Sequence, residues 1–176
     1  MLLSSLLWAT TLLLFHWHSR LVSAHRHRVL ISGILLCGLV SAMSILALGF
    51  MDTRLHLAGH NNAAVLFFTS SWTTVGLICL LRRRLSKPPP SSINVIAEGA
   101  AAIGLVSCAF RGVAALCTSE VFPNLLSLSP SHVALAEYAI VAALATFAAT
   151  LSHEVAVLTP LVEAKYFSIL QRGKGK

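Results

Sequence analysis

The chain has 176 residues, of which 56% are hydrophobic and 11% charged, and a mean hydropathy of +0.80. A soluble domain carries about 25% charged residues, so this composition excludes an ordinary water-soluble fold and points to one integral membrane domain. The formal net charge is +7, but the basic residues stand in short clusters between apolar runs, which is a topology signal and not a nucleic-acid footprint.

Leu2–Phe15 is an apolar run that begins next to the initiator Met, with Trp17 and the His16/His18 pair placed to lie at the membrane interface. Val22-Ser23-Ala24 has the small-residue look of a signal-peptide cleavage site. No Lys or Arg precedes the apolar core, however, and Arg20 lies before the supposed cut, so an uncleaved first helix is the better reading. His25-Arg26-His27-Arg28 makes a basic turn. Val29–Met51 is the second apolar run, with Gly33, Gly38, Ser41, Ala42, Ser44 and Gly49 as small packing positions. Asp52–Asn62 reads as a polar loop, and Ala63–Leu81 as the third run.

The centre of that third run, Thr69-Ser70-Ser71-Trp72-Thr73-Thr74, is unusually polar for a lipid-facing surface. Its hydroxyls can bond back to helix carbonyls or across to a neighbouring helix. Helix packing is the plain reading, and a polar cavity lined by Thr69, Ser70, Ser71, Thr73 and Thr74 is the functional one. Arg82-Arg83-Arg84, Lys87 and Pro88-Pro89-Pro90 form a basic, stiff connector that ends the helix.

Ser91–Thr118 is the fourth run, long enough to span a bilayer. Ala100, Gly104, Cys108 and Gly112 recur every four residues in it and predict a face of close helix approach. Ser119–Ser131 is a loop with no Lys or Arg, and His132–Thr159 is the fifth run, stopped by Pro160. The expected fold is therefore an all-α bundle of five transmembrane helices over residues 1–164, with a basic cytoplasmic tail at 165–176. The Arg- and Lys-rich segments (19–28, 82–87 and the tail) fall on one side of five spans. The positive-inside rule then places the N-terminus outside and the C-terminus in the cytoplasm.

Two charges lie within the fourth run, Glu98 and Arg111, and one in the outer half of the fifth, Glu137. A charge within a membrane helix is expensive and usually has a partner. At 1.5 Å per residue, Arg111 lies roughly 7 Å and Glu137 about 9 Å outward of their midplanes. Adjacent antiparallel helices put them at one depth, which predicts an Arg111–Glu137 ion pair. Glu98 falls near the inner end of its helix and would meet His153 or a first-loop arginine. Arg111, Glu137, Glu98 and His153 thus form the candidate intramembrane polar core, whether it merely holds the bundle or opens as a cavity.

The remaining chemistry is sparse. His16/His18, His25/His27 and His56/His60 are spaced pairs, but most histidines sit at helix ends, where structural roles outweigh a haem or metal site. The four cysteines form no CxxC pair, and no nucleophilic triad or phosphate loop stands out, so no enzyme and no cofactor is expected.

The second half of the chain, with Phe110-Arg111, Ser131-His132, Glu137 and His153 in that order, resembles the fungal RTA1-like (lipid-translocating exporter) family of seven-helix membrane proteins. On that resemblance the five helices would match the last five of seven, in a chain shorter than its relatives. Ala114 stands where that family has Glu, and His153-Glu154 where it has His-Pro. The resemblance implies lipid translocation or resistance to toxic amphipathic compounds, with membrane lipids and an amphipathic small molecule as partners. Two alternatives stand beside it. One is a non-catalytic scaffold or accessory subunit that packs against partner helices, in a helix–helix oligomer. The other is a haem- or metal-binding redox protein.

Overall fold

The computed structural model describes residues 2–22, 27–51, 56–85, 90–118 and 127–156. Within them the chain is all helical: α1 (Leu2–Val22), α2 (Arg28–Phe50), α3 (Leu57–Arg84), α4 (Ser91–Thr118) and α5 (Pro130–Ala156). Hydrocarbon offers no water to backbone N–H and C=O groups, so helices that bond their own backbone follow from this composition. The loop 119–126, the basic tail 165–176 and the candidate cleavage site at Ser23-Ala24 lie outside the described residues.

Among the described residues, four helices are long and apolar enough to cross a membrane: Arg28–Phe50, Ala58–Arg84, Ser91–Cys117 and Pro130–His153. Five spans were expected. α1 has spanning length at 21 residues, but its three serines, two threonines and two histidines dilute its apolar character and it is not among the four.

Helix ends show why apolar runs and helices differ. α4 starts and stops where expected, with the Ile93 and Asn94 amides donating to the Pro90 carbonyl at 3.0 and 3.2 Å. α5 begins at Pro130, after Ser129, because a proline at the first helical position loses only an amide that has no intrahelical partner. α3 begins at Leu57, so Gly59, His60, Asn61 and Asn62, expected in a loop, are helical. α1 likewise runs on past Phe15 through His16–Arg20.

The chain divides into two compact units, Met1–Pro88 with Leu151–Lys176, and Pro89–Thr150. In the first, α1, α2 and α3 form consecutive antiparallel pairs. Ser5 Oγ donates to the Ala42 carbonyl at 2.8 Å, and His16 Nδ1 lies 3.4 Å from the Ile31 carbonyl, which fixes α1 against α2. Ser41 Oγ and Ser71 Oγ are 2.6 Å apart at the middle of α2 and α3, and His60 Nδ1 reaches the Met51 carbonyl at 3.1 Å at their shared turn. Leu12, Phe15, Ile31, Ile34, Val75, Ile78 and Leu81 fill the core of this unit. Gly38 gives room there: a Cβ on it would overlap Leu12 Cδ1, so α1 seats its leucine on bare α2 backbone.

In the second unit α4 and α5 run antiparallel. The end of α4 meets the start of α5 through Arg111 and Glu137, while the first half of α4 shares a groove with Ala139–Thr146. The expected small-residue face is only partly the buried one. Ala97, Ala100, Gly104 and Ala114 are buried, but Gly112 is exposed and a Cβ there would meet nothing within 4 Å. A strict four-residue spacing gains about 40° per step on a 3.6-residue helix, so from Ala100 to Gly112 it rotates off the face. The buried line passes instead from Gly104 toward Arg111 and Ala114.

Candidate functional site

The α4–α5 unit carries the site. Arg111 Nε donates to Glu137 Oε1 at 2.8 Å, with the two side chains 32% and 43% exposed. Each residue stands seven positions from its helix end, Thr118 or Pro130. The pair therefore lies about 10 Å along the helices from those ends, at one depth. An ionised donor and acceptor make a short, strong hydrogen bond and remove two isolated charges from the apolar span.

A groove of ≈ 460 Å³ opens along the same two helices, lined by Ile96, Gly99, Ala100, Ile103, Ala139, Ala142, Ala143 and Thr146. Five of these eight are Gly or Ala, and Thr146 alone is polar, its Oγ1 donating back to the Ala142 carbonyl at 2.9 Å. At 100° per residue, the buried face of α5 holds Ala136, Ile140, Leu144 and Phe147. Glu137 borders that face on one flank, and Ala139, Ala142 and Thr146 border it on the other. The ion pair and the groove therefore lie on opposite flanks of α5, and the groove itself is apolar.

The other expected polar residues are placed as follows. Glu98 is exposed on α4, 13 residues and so about 20 Å along the helix from Arg111, and it does not join the pair. His153 is exposed in the last turn of α5. Thr69, Ser70, Thr73 and Thr74 donate to carbonyls one turn back, at Val65, Leu66, Thr69 and Ser70. Ser71, 1% exposed, bonds Ser41 across the helices. None of the five lines the groove. Sequence reasoning missed the Ser41–Ser71 bond, although the depth arithmetic that pairs Arg111 with Glu137 also sets these two serines level.

The described histidines do not cluster. His16 and His60 face backbone carbonyls, and His132 Nδ1 accepts the Ser129 amide at 3.1 Å. Among the described residues no three His, Cys, Asp or Glu side chains come together as a metal site would require. Cys37, Cys79, Cys108 and Cys117 are each part-buried and form no disulfide with one another.

Four apolar helices of spanning length define a multi-pass integral membrane protein. A family model described as the Frag1/DRAM/Sfk1/Cwh43P N-terminal domain matches residues 1–156, and the chain belongs to that family. This corrects the RTA1-like resemblance. The match begins at residue 1 and takes in α1–α3, which carry none of the residues that suggested the resemblance. The residues that suggested RTA1 were an Arg and an acid at equal depth, with histidines at helix ends. Membrane helices that must pair a charge reach this pattern irrespective of family. Curated protein sequences and solved structures give no match.

Proposed function

We propose that this protein is a non-catalytic membrane module, an accessory or scaffold subunit whose α4–α5 unit packs against a transmembrane helix of another subunit. The groove carries the proposal: Gly99, Ala100, Ala139, Ala142 and Ala143 leave a shallow, apolar channel along two spans. In lipid, helices associate by close packing on small residues and not by hydrophobic burial, so such a channel is what a partner helix requires. α4 is also the least covered span, with 17% of its apolar window buried against 28% or more in the other three. We orient the chain with the N-terminus outside and the C-terminus in the cytoplasm, with α1 as a fifth crossing. In that frame the arginines of α1, α2 and α3 share the cytoplasmic side.

Lipid handling is the second reading. The groove volume falls within the range of about 300–1,000 Å³ typical of ligand sites, and its lining suits an acyl chain. Translocation of lipids or resistance to amphipathic compounds would further need a polar path. The Thr69–Thr74 hydroxyls that suggested one are already bonded.

The test is to fill the groove. Ala142→Phe adds a ring at its exposed lip, and Leu135→Phe enlarges another exposed position, outside it. Membranes are solubilised in mild detergent and the size of the complex is measured. Loss of the larger complex with Ala142→Phe alone supports the proposal. A complex that survives both variants, or a wild type that runs only as a monomer, contradicts it.

A further inference from the structure

α5 opens on a cap made by a histidine. Ser129 precedes Pro130, the first helical residue, and His132 stands three positions after Ser129. The Ser129 amide donates to His132 Nδ1 at 3.1 Å, and Ser129 Oγ lies 2.8 Å from the same nitrogen. The His132 amide returns to the Ser129 carbonyl at 3.0 Å. In a capping box a side chain at the third helical position reaches back to the amide just before the helix, and that side chain is ordinarily Glu or Gln. Here it is an imidazole. An Nδ1 that accepts an amide carries no proton, so the ring is neutral with its proton on Nε2. Two residues upstream of Ser129, Ser127 has φ 49°, in the left-handed region that a serine enters at a steric cost. The clip closes directly behind that strained residue.

We propose that Ser129 and His132 form a proton-operated clip on the entry to α5. Protonation puts a hydrogen on Nδ1, and the nitrogen then only donates. Ser129 Oγ turns to accept it, while the Ser129 amide faces an N–H and loses its acceptor. An imidazolium also meets the positive end of the helix, which opposes it. With the amide released, Ser127 leaves the left-handed region and the first turn of α5 frays. The surrounding charges leave this to His132. The positions one turn further along α5, Leu135 and Ala136, carry no charge. The end of α4 brings Cys117 and, seven residues before Thr118, Arg111, which is engaged with Glu137. Among the described residues His132 makes no ion pair, and Glu120 lies outside them. Glu137 is five residues further into the helix than His132, beyond the first turn, so the Arg111–Glu137 pair stays closed when the clip opens.

Hydrogen–deuterium exchange of the full chain in detergent reads the clip at about pH 7.5 and about pH 5, on either side of the range where imidazoles titrate. Each rate is divided by the intrinsic rate at that pH. In the wild type, protection over 129–134 falls about fivefold at the lower pH, the size of a lost cap, while 137–147 keeps its protection. His132→Glu supplies an acceptor that stays largely ionised at the lower pH, and it holds the protection at both. His132→Ala lacks it at both. In every variant the 137–147 segment reports that the helix itself is folded. Equal wild-type protection at the two pH values, or a pH step that survives in His132→Ala, overturns the proposal.

Discussion

The three-helix unit and the α4–α5 unit hold membrane helices together by opposite means. α1, α2 and α3 are tied by neutral hydroxyls, Ser5 to the Ala42 carbonyl and Ser41 to Ser71, and by a leucine seated on Gly38. α4 and α5 share a charge pair and a line of small residues. A hydroxyl that loses its neighbour can bond its own helix carbonyl, as Thr69 and Thr73 already do. A guanidinium or carboxylate has no such retreat. The first unit is therefore built from ties that fail gently, and the second from one that holds only when both members are present.

The largest expected effect breaks the charge pair on one side. Arg111→Ala or Glu137→Ala leaves a single charge in the span, at a cost of about 2–3 kcal/mol. Each single variant should fall in membrane abundance, and the double variant should recover much of the loss. Equal loss in all three would show that the two residues act separately. Next in size is Gly38→Leu, which drives a side chain into Leu12 and should cost about 1–3 kcal/mol by overpacking. Gly76→Ala, where a Cβ meets nothing within 4 Å, is the matched control and should be close to neutral. Thermal unfolding in detergent reads both. The smallest effect is at the serines: Ser41→Ala and Ser71→Ala should each cost about 0.6 kcal/mol, and together little more than either alone. A double-mutant cycle checks this, and fully additive losses would deny the bond.

Much of this architecture was legible in the sequence, and the exceptions have physical causes. Pro90 stands just before α4 and Thr118 closes it, where a proline and the end of the apolar run mark the two limits in the sequence. The third apolar run starts at Ala63 because hydropathy marks only apolar residues, whereas the polar His60, Asn61 and Asn62 also form helix. The Arg111–Glu137 pairing could be read because helical rise converts sequence position into depth. The four-residue stripe failed at Gly112 because 4 is not 3.6. The groove was not legible, since it needs the facing positions of α5 as well as Gly99 and Ala100 of α4. Family was misread from Phe110-Arg111 and Glu137, residues whose pattern the membrane itself enforces.

The most direct measurement places a photo-crosslinking amino acid at Ala142, on the open lip of the groove, and irradiates intact membranes. A discrete protein adduct at 142, absent when the crosslinker is moved to the exposed position 135, is the predicted result. Adducts with lipid alone at 142 would contradict helix docking and assign the groove to an acyl chain.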